Sequence, residues 1–301
     1  MSKAPKPFNP GSFEGALTEA LYAVGWERGT LTTEQDKLVA VLRTKHKDDD
    51  TAQALADKLE TCRKDSRCKS GACPECARAG QVLFAKSVSD FLSKDGDGGS
   101  PVCISIVPAD GTCKPGQLAA DYARRNVRRW KERLGRAGVT WFIGALDYSL
   151  NEHDEDRYKP HWSEHLYGLA STNDVEGLKR ELLKQFPVTD AIPRPVKVTE
   201  WDGGDAALNY LLKPNAWRRV ATDDAERFDK EKDEKRSCRA TDKQRLKSKQ
   251  RVRLALHLDE IGLSGRLVLR WAQFVNYGAT TTIAARAPRA VGPSIVNPWS
   301  K

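Results

Sequence analysis

Two short phrases in the middle of the chain hold residue types that do chemistry: Pro160-His161-Trp162-Ser163-Glu164-His165-Leu166-Tyr167-Gly168 and Leu208-Asn209-Tyr210-Leu211-Leu212-Lys213. In a strand, alternate side chains share a face. His161, Ser163, His165 and Tyr167 then project one way and Trp162, Glu164 and Leu166 the other, which is how a strand presents a metal site. In a helix, the second phrase sets Lys213 one turn beyond Tyr210, so the phenol has an ammonium as its neighbour. A metal and a lysine-flanked tyrosine together point to phosphoryl transfer through a covalent phosphotyrosine. The plainer alternatives are a tyrosine packed in an apolar helix and histidines on a half-exposed strand.

A second constellation lies upstream, in Cys62, Cys68, Cys73 and Cys76. Four thiolates make a closed tetrahedral shell for zinc, and the Cys73-Pro74-Glu75-Cys76 turn is the tight knuckle that brings two sulfurs to one ion. The chain has 7 cysteines, an odd number for a disulfide framework, and this clustering favours a metal over bridges. A closed shell has no open coordination position, so the zinc is expected to be structural. Arg63, Lys64, Arg67, Lys69 and Arg78 surround it. Such a basic knuckle can sit against a phosphate backbone or pin the N-terminal helices to the domain downstream.

The elements that must position these residues can be read in order. The chain has 301 residues, with Lys+Arg 50 against Asp+Glu 41 and a formal net charge of +9. That excess favours a polyanionic partner. Mean hydropathy is −0.60. No apolar run approaches membrane-spanning length, and Met1 to Gly11 lacks an apolar signal core, so a soluble, cytoplasmic protein is expected. Apolar residues at helical spacing, Phe13, Leu17 and Leu21, then Leu38, Val41 and Leu42, predict helices over residues 12–60, and residues 1–94 are expected to form an N-terminal helical region that carries the zinc knuckle. After a break at Asp95-Gly96-Asp97-Gly98-Gly99-Ser100-Pro101, strands are predicted over 102–107, 139–149, 161–170 and 195–201, and helices over 117–134, 175–186 and 206–213. The order β-α-β-β-α-β-α describes an α+β fold, a ferredoxin-like split βαβ with an antiparallel sheet and helices on one face, over residues 100–218. Residues 219–278 read as a charged linker followed by two helices around Gly262-Leu263-Ser264-Gly265. Those helices could be a helix-turn-helix-like DNA reader or could simply pack on the sheet. Residues 279–301 read as an extended or disordered tail.

With the cysteine cluster, the histidine-bearing strand after Trp162 and the Tyr210-x-x-Lys213 helix, residues 60–215 resemble the HUH endonucleases, in particular the rolling-circle replication initiator (Rep) proteins of plasmids and phages. The strand motif of that family is histidine, bulky apolar residue, histidine. Here it stands as His165-Leu166-Tyr167, and the second histidine is missing. His161 shares the face of His165 but lies two pleats away, about 13 Å on an ideal strand.

The resemblance implies a nuclease domain in which Tyr210 attacks a phosphodiester of single-stranded origin DNA. The products are a 5′-phosphotyrosine and a free 3′-hydroxyl. Lys213 would serve the phosphate or phenolate. A divalent ion, Mg²⁺ or the more imidazole-tolerant Mn²⁺, would be held by His165, with Asp147 and His161 as further ligands and Glu152 and His153 offered by the adjoining loop. A host helicase or polymerase would be the further partner. Relaxases and single-tyrosine transposases share this chemistry. A non-catalytic zinc-containing DNA- or RNA-binding protein is the rival of a different class, and Tyr167 is its best argument.

Overall fold

Along residues 142–153 and 161–172 apolar side chains alternate with a second set that is apolar at one end of the face and polar at the other, a pattern that suits the middle of a sheet covered unevenly. In the computed structural model, which describes residues 30–94, 99–189, 192–213, 216–229, 234–277 and 280–285, these segments are strands β3 (Phe142–His153) and β4 (His161–Thr172). They pair antiparallel from Phe142↔Ala170 to Asn151↔His161.

Before them come helices α1 (Thr30–Lys45), α2 (Asp50–Glu60) and α3 (Pro74–Lys94), strands β1 (Ser100–Ile106) and β2 (Thr112–Cys113), and helix α4 (Ala120–Arg136). After them come α5 (Val175–Gln185), β5 (Val196–Glu200), α6 (Asp205–Tyr210), β6 (Trp217–Asp229), β7 (Glu234–Gln244), α7 (Ser248–Ile261), β8 (Leu267–Arg270), β9 (Ala272–Tyr277) and β10 (Thr280–Ala285). The main sheet runs β5-β1-β4-β3-β6-β7, with β2 on β4 and β8 on β3. Its pairings are antiparallel except for β3 with β6. The chain is thus a mixed α+β protein built on a largely antiparallel sheet.

Capping and charge explain where several helices begin and end. Asp49 accepts from the backbone N–H groups of Thr51 and Ala52 at the start of α2, and Asp174 from Gly177 at the start of α5. Helix α4 carries Asp121 in its first turn and Arg133 and Arg136 in its last, which complements the helix dipole.

The two faces of the sheet have separate cores. On one, Val102, Ile104, Phe142, Leu146, Leu150, Trp162 and Leu166 pack with Trp130 and Leu134 of α4, Leu182 of α5 and Leu258 of α7. On the other, Ile143, Ala145 and Leu169 pack with Leu42, Leu55 and Leu59, with Phe84 and Phe91 of α3, and with Leu208 and Leu211. Each fully buried large side chain contributes about 1.5–3 kcal/mol. Gly144 and Gly168 face each other across β3 and β4, and a Cβ on either would lie 2.5 Å from the ring of Phe142.

Several sequence expectations are corrected here. Helices cover both faces of the sheet rather than one. Among the described residues of 219–278 are the paired strands β6 and β7, helix α7, one 3-10 turn (Ser264–Arg266) and strands β8 and β9, so the stretch expected as a second helix is mostly strand. Leu267 to Arg270 instead pairs with Ala145 to Phe142. The physical reason is an open edge on the apolar half of β3, which takes up a short Leu-Val-Leu run more readily than solvent does. Of the tail, Thr280–Ala285 is a strand paired with β9. The early apolar positions Phe13, Leu17 and Leu21 and the tail beyond residue 285 lie outside the described residues.

One buried acid sits on the α4 side of β4. Asn126 Nδ2 donates to Glu164 Oε2 at 2.6 Å, while Oε1 has no hydrogen-bond partner. Burial, only partly offset by Asn126 and Arg129, pushes its carboxyl from 4.5 up to about 7. Because the folded chain holds this proton more tightly than the unfolded chain, the stabilisation is full below pH 4.5 and fades as pH rises through 7. Wild type should lose up to about 3 kcal/mol of stability over that interval through this group. Glu164→Gln should flatten the dependence in denaturant titrations at pH 5 and pH 8, and an unchanged slope would show that Glu164 is ionised in the folded state.

Candidate active site

The polar half of the β3–β4 face is assembled by register. Asp147 lies opposite His165, Ser149 opposite Ser163, and Asn151 opposite His161. Ser149 Oγ and His165 Nε2 are 3.1 Å apart, and Asn151 Nδ2 donates to Ser163 Oγ at 2.7 Å.

Helix α6 is short and ends at Tyr210. It is fixed from beneath by Leu208, Leu211 and Leu212, all buried, and by Gln81 of α3, whose amide donates to the carbonyl of Asn209. Helical spacing alone would set Lys213 one turn beyond Tyr210. The structure reaches the same neighbourhood another way: Leu212 has φ +52°, and this left-handed step, unfavourable for a residue with a Cβ, turns Lys213 back. Lys213 Nζ donates to Tyr210 Oη at 2.7 Å and forms an ion pair with Asp147.

Tyr210 is 46% exposed, so the packed-core reading of this tyrosine does not hold. Its ring meets Tyr167 edge-on at 4.7 Å between centroids. Tyr167 therefore supports the tyrosine ring.

Charge in the site arises from these contacts. Burial alone would lower the Lys213 pKa, but Asp147 and the bond to Tyr210 outweigh it and hold the ammonium above its ordinary value. Burial, helped by the charges of Arg219 and Lys213 and opposed by Asp147, brings His165 down to about 4. At neutral pH the site therefore presents a neutral imidazole beside a carboxylate and an ammonium.

The other expected ligands are elsewhere. His161, at the far end of β4, has its Nδ1 3.0 Å from the carbonyl of Lys159. Glu152 pairs with Arg218 at 2.7 Å and accepts from Gln250 at 2.8 Å. His153 is buried, with Nδ1 3.2 Å from Asp154 Oδ1. Asp147 and His165 are thus left as two donors, with the carboxylate already neutralised by Lys213. Among the described residues, only the four cysteines form a group of three or more side chains able to hold a metal. The residues here do not fit a resident Mg²⁺ or Mn²⁺.

The cysteine cluster does fit its metal. The ligand atoms of Cys62, Cys68, Cys73 and Cys76 all lie within 4.8 Å of one another, with Sγ separations of 3.7, 3.7 and 3.8 Å for the closest pairs. A zinc–sulfur distance of about 2.3 Å in a tetrahedron requires edges of about 3.8 Å. Backbone N–H groups of Cys68 and Cys76 donate to Cys62 Sγ and Cys73 Sγ. A zinc there would tie the end of α2 to the start of α3. The knuckle also abuts α7, where a Cβ on Gly71 would lie 2.5 Å from the Leu258 carbonyl oxygen.

No protein-family model, curated protein or solved structure matches this chain. What it does must be read from the arrangement itself.

Sequence reasoning missed Arg266, which lay inside the second of the two helices expected after residue 250. It is 3% exposed, donates from Nε and one terminal nitrogen to the carbonyl of Leu146 at 3.1 Å, and from that same nitrogen to the carbonyl of Lys213 at 2.9 Å. It therefore ties β3 to the segment that carries the site's cation. The signal that could have found it was an arginine leading into Leu267-Val268-Leu269, since a cation in an apolar run is usually buried and paired.

Two variants test these placements. Arg266→Met takes the guanidinium donors from the carbonyls of Leu146 and Lys213 and should lower stability by about 3 kcal/mol in urea unfolding; an effect under about 0.5 kcal/mol would mean that water replaces it. Cys76→Ser should bind less than stoichiometric zinc by elemental analysis and lose several kcal/mol of stability, whereas full zinc content in that variant would show that the cluster is not the ligand set.

Proposed function

We propose that this chain cuts single-stranded DNA by transferring a strand to Tyr210, as a rolling-circle replication initiator does. The observation that carries the reading is the half-exposed phenol of Tyr210 bonded to the ammonium of Lys213, itself bound to Asp147 opposite a neutral His165. An adjacent cation is what a phenol needs to act as a nucleophile near neutral pH, since it stabilises the phenolate and the phosphate charge alike.

Three further features support it. The strand order β5-β1-β4-β3, with α4 and α5 as crossovers on one face, is the order of a ferredoxin-like split βαβ, the architecture that the HUH resemblance implies. The net charge of +9 suits a polyanion. Trp217, 37% exposed and in register with Ser149, offers a ring on which an unpaired base could stack beside the site.

The reaction leaves a 5′-phosphotyrosine and a 3′-hydroxyl that a host polymerase could extend. A relaxase or a single-tyrosine transposase would use the same step. The second reading, a zinc-containing nucleic-acid-binding protein without catalysis, is favoured by Tyr167 standing where the family has its second histidine.

Labelled single-stranded hairpin DNA separates the two readings. Wild type should carry label through a denaturing gel, and Tyr210→Phe should not. Label retained by Tyr210→Phe would move the nucleophile to Tyr158 or Tyr167, since Tyr148 is buried. No labelled wild type on any hairpin of a broad set, with Mn²⁺ or without it, would leave the binding module.

A further inference from the structure

The site has cations where a divalent ion was expected. Lys213 Nζ bridges Asp147 and Tyr210 Oη, so the Asp147 carboxylate is already neutralised by an ammonium that touches the nucleophile. A metal entering here would have to displace that ammonium, and it would then find a single imidazole and a single carboxylate. A second cation lies on the neighbouring strand. Arg219 lies on β6, in register with Asn151 of β3, on the strand bordering the polar half of the face. Its charge is felt at His165.

Resting on the strand-transfer reading above, we propose that Lys213 and Arg219 together take the part of the divalent ion, with Arg219 binding the scissile phosphate, so that cleavage by this chain needs no Mg²⁺ or Mn²⁺. A guanidinium presents paired donors that match two phosphate oxygens, while an ammonium acts as a point charge between nucleophile and phosphate. Two cations near a phosphodiester stabilise the charge that builds on its non-bridging oxygens, the role otherwise given to a metal. The step balances without a co-reactant. The bond from Tyr210 Oη to phosphorus forms and the bond from phosphorus to the 3′ oxygen breaks, while the phenolic proton passes to water and the departing 3′ oxygen takes one from it.

The test uses the full chain carrying stoichiometric zinc, dialysed free of other divalent ions, and labelled single-stranded hairpin DNA in single-turnover conditions. The expected result is formation of the covalent adduct without added ion at a rate within about 3-fold of that with Mn²⁺. Arg219→Ala should slow adduct formation by about 100-fold, the usual effect of deleting one charge-stabilising donor, with no rescue by Mn²⁺. Arg219→Lys, which keeps the charge and serves as the folding control, should fall between the two. Adduct formation that requires Mn²⁺ would overturn the inference and leave the strand-transfer reading standing. An ion-independent adduct that Arg219→Ala forms at the wild-type rate would overturn the assignment of Arg219. Absence of adduct under both conditions would overturn this inference and the strand-transfer reading together.

Discussion

The ion pair between Lys213 and Asp147 is the contact on which the arrangement turns. It joins the end of α6 to the middle of β3 and aims an ammonium at the half-exposed phenol of Tyr210. Exposed ion pairs are worth little, but this one is largely withdrawn from water, so removal of either partner would leave a poorly solvated charge. Its geometry is inherited. Leu208, Leu211 and Leu212 seat α6 in the same core as α3, and α3 begins within the cysteine cluster. A metal bound by the cysteines would therefore help to fix where the phenol points.

The two faces of the sheet divide the labour. The α4 and α5 face is apolar along nearly its whole length and supplies rigidity. On the opposite face Ile143, Ala145 and Leu169 meet the N-terminal helices. Beyond them, Asp147, Ser149 and Asn151 keep the same side-chain direction but change character from apolar to polar. A strand face that switches chemistry midway gives the polar residues a backbone held in place by its apolar neighbours.

Much of this was legible in the residues. Alternation over 161–170 gave β4 and the shared face of Ser163 and His165, and cysteine spacing gave the four-sulfur cluster. The Tyr210–Lys213 pair was read as neighbours through a helical turn, whereas the contact is made through the left-handed Leu212, which no spacing rule announces. The C-terminal strands were missed because a run such as Leu267-Val268-Leu269 serves a helix or a strand equally well, and the choice lies with a partner more than a hundred residues earlier. His161 was grouped with His165 on direction alone, although direction along a strand says nothing of distance along it. The place of Arg266 was invisible for a related reason: its acceptors are two carbonyls distant in the chain, and backbone carbonyls leave no mark in a sequence.

That arginine also sets an order of events during synthesis. Until residue 266 has left the ribosome, the carbonyls of Leu146 and Lys213 lack their shared donor, so a nascent chain can carry its tyrosine and lysine without the tie that holds them to the sheet. A chain broken off by an early stop codon would be left in the same state. The tie therefore forms late in translation, and a product truncated before residue 266 would lack it.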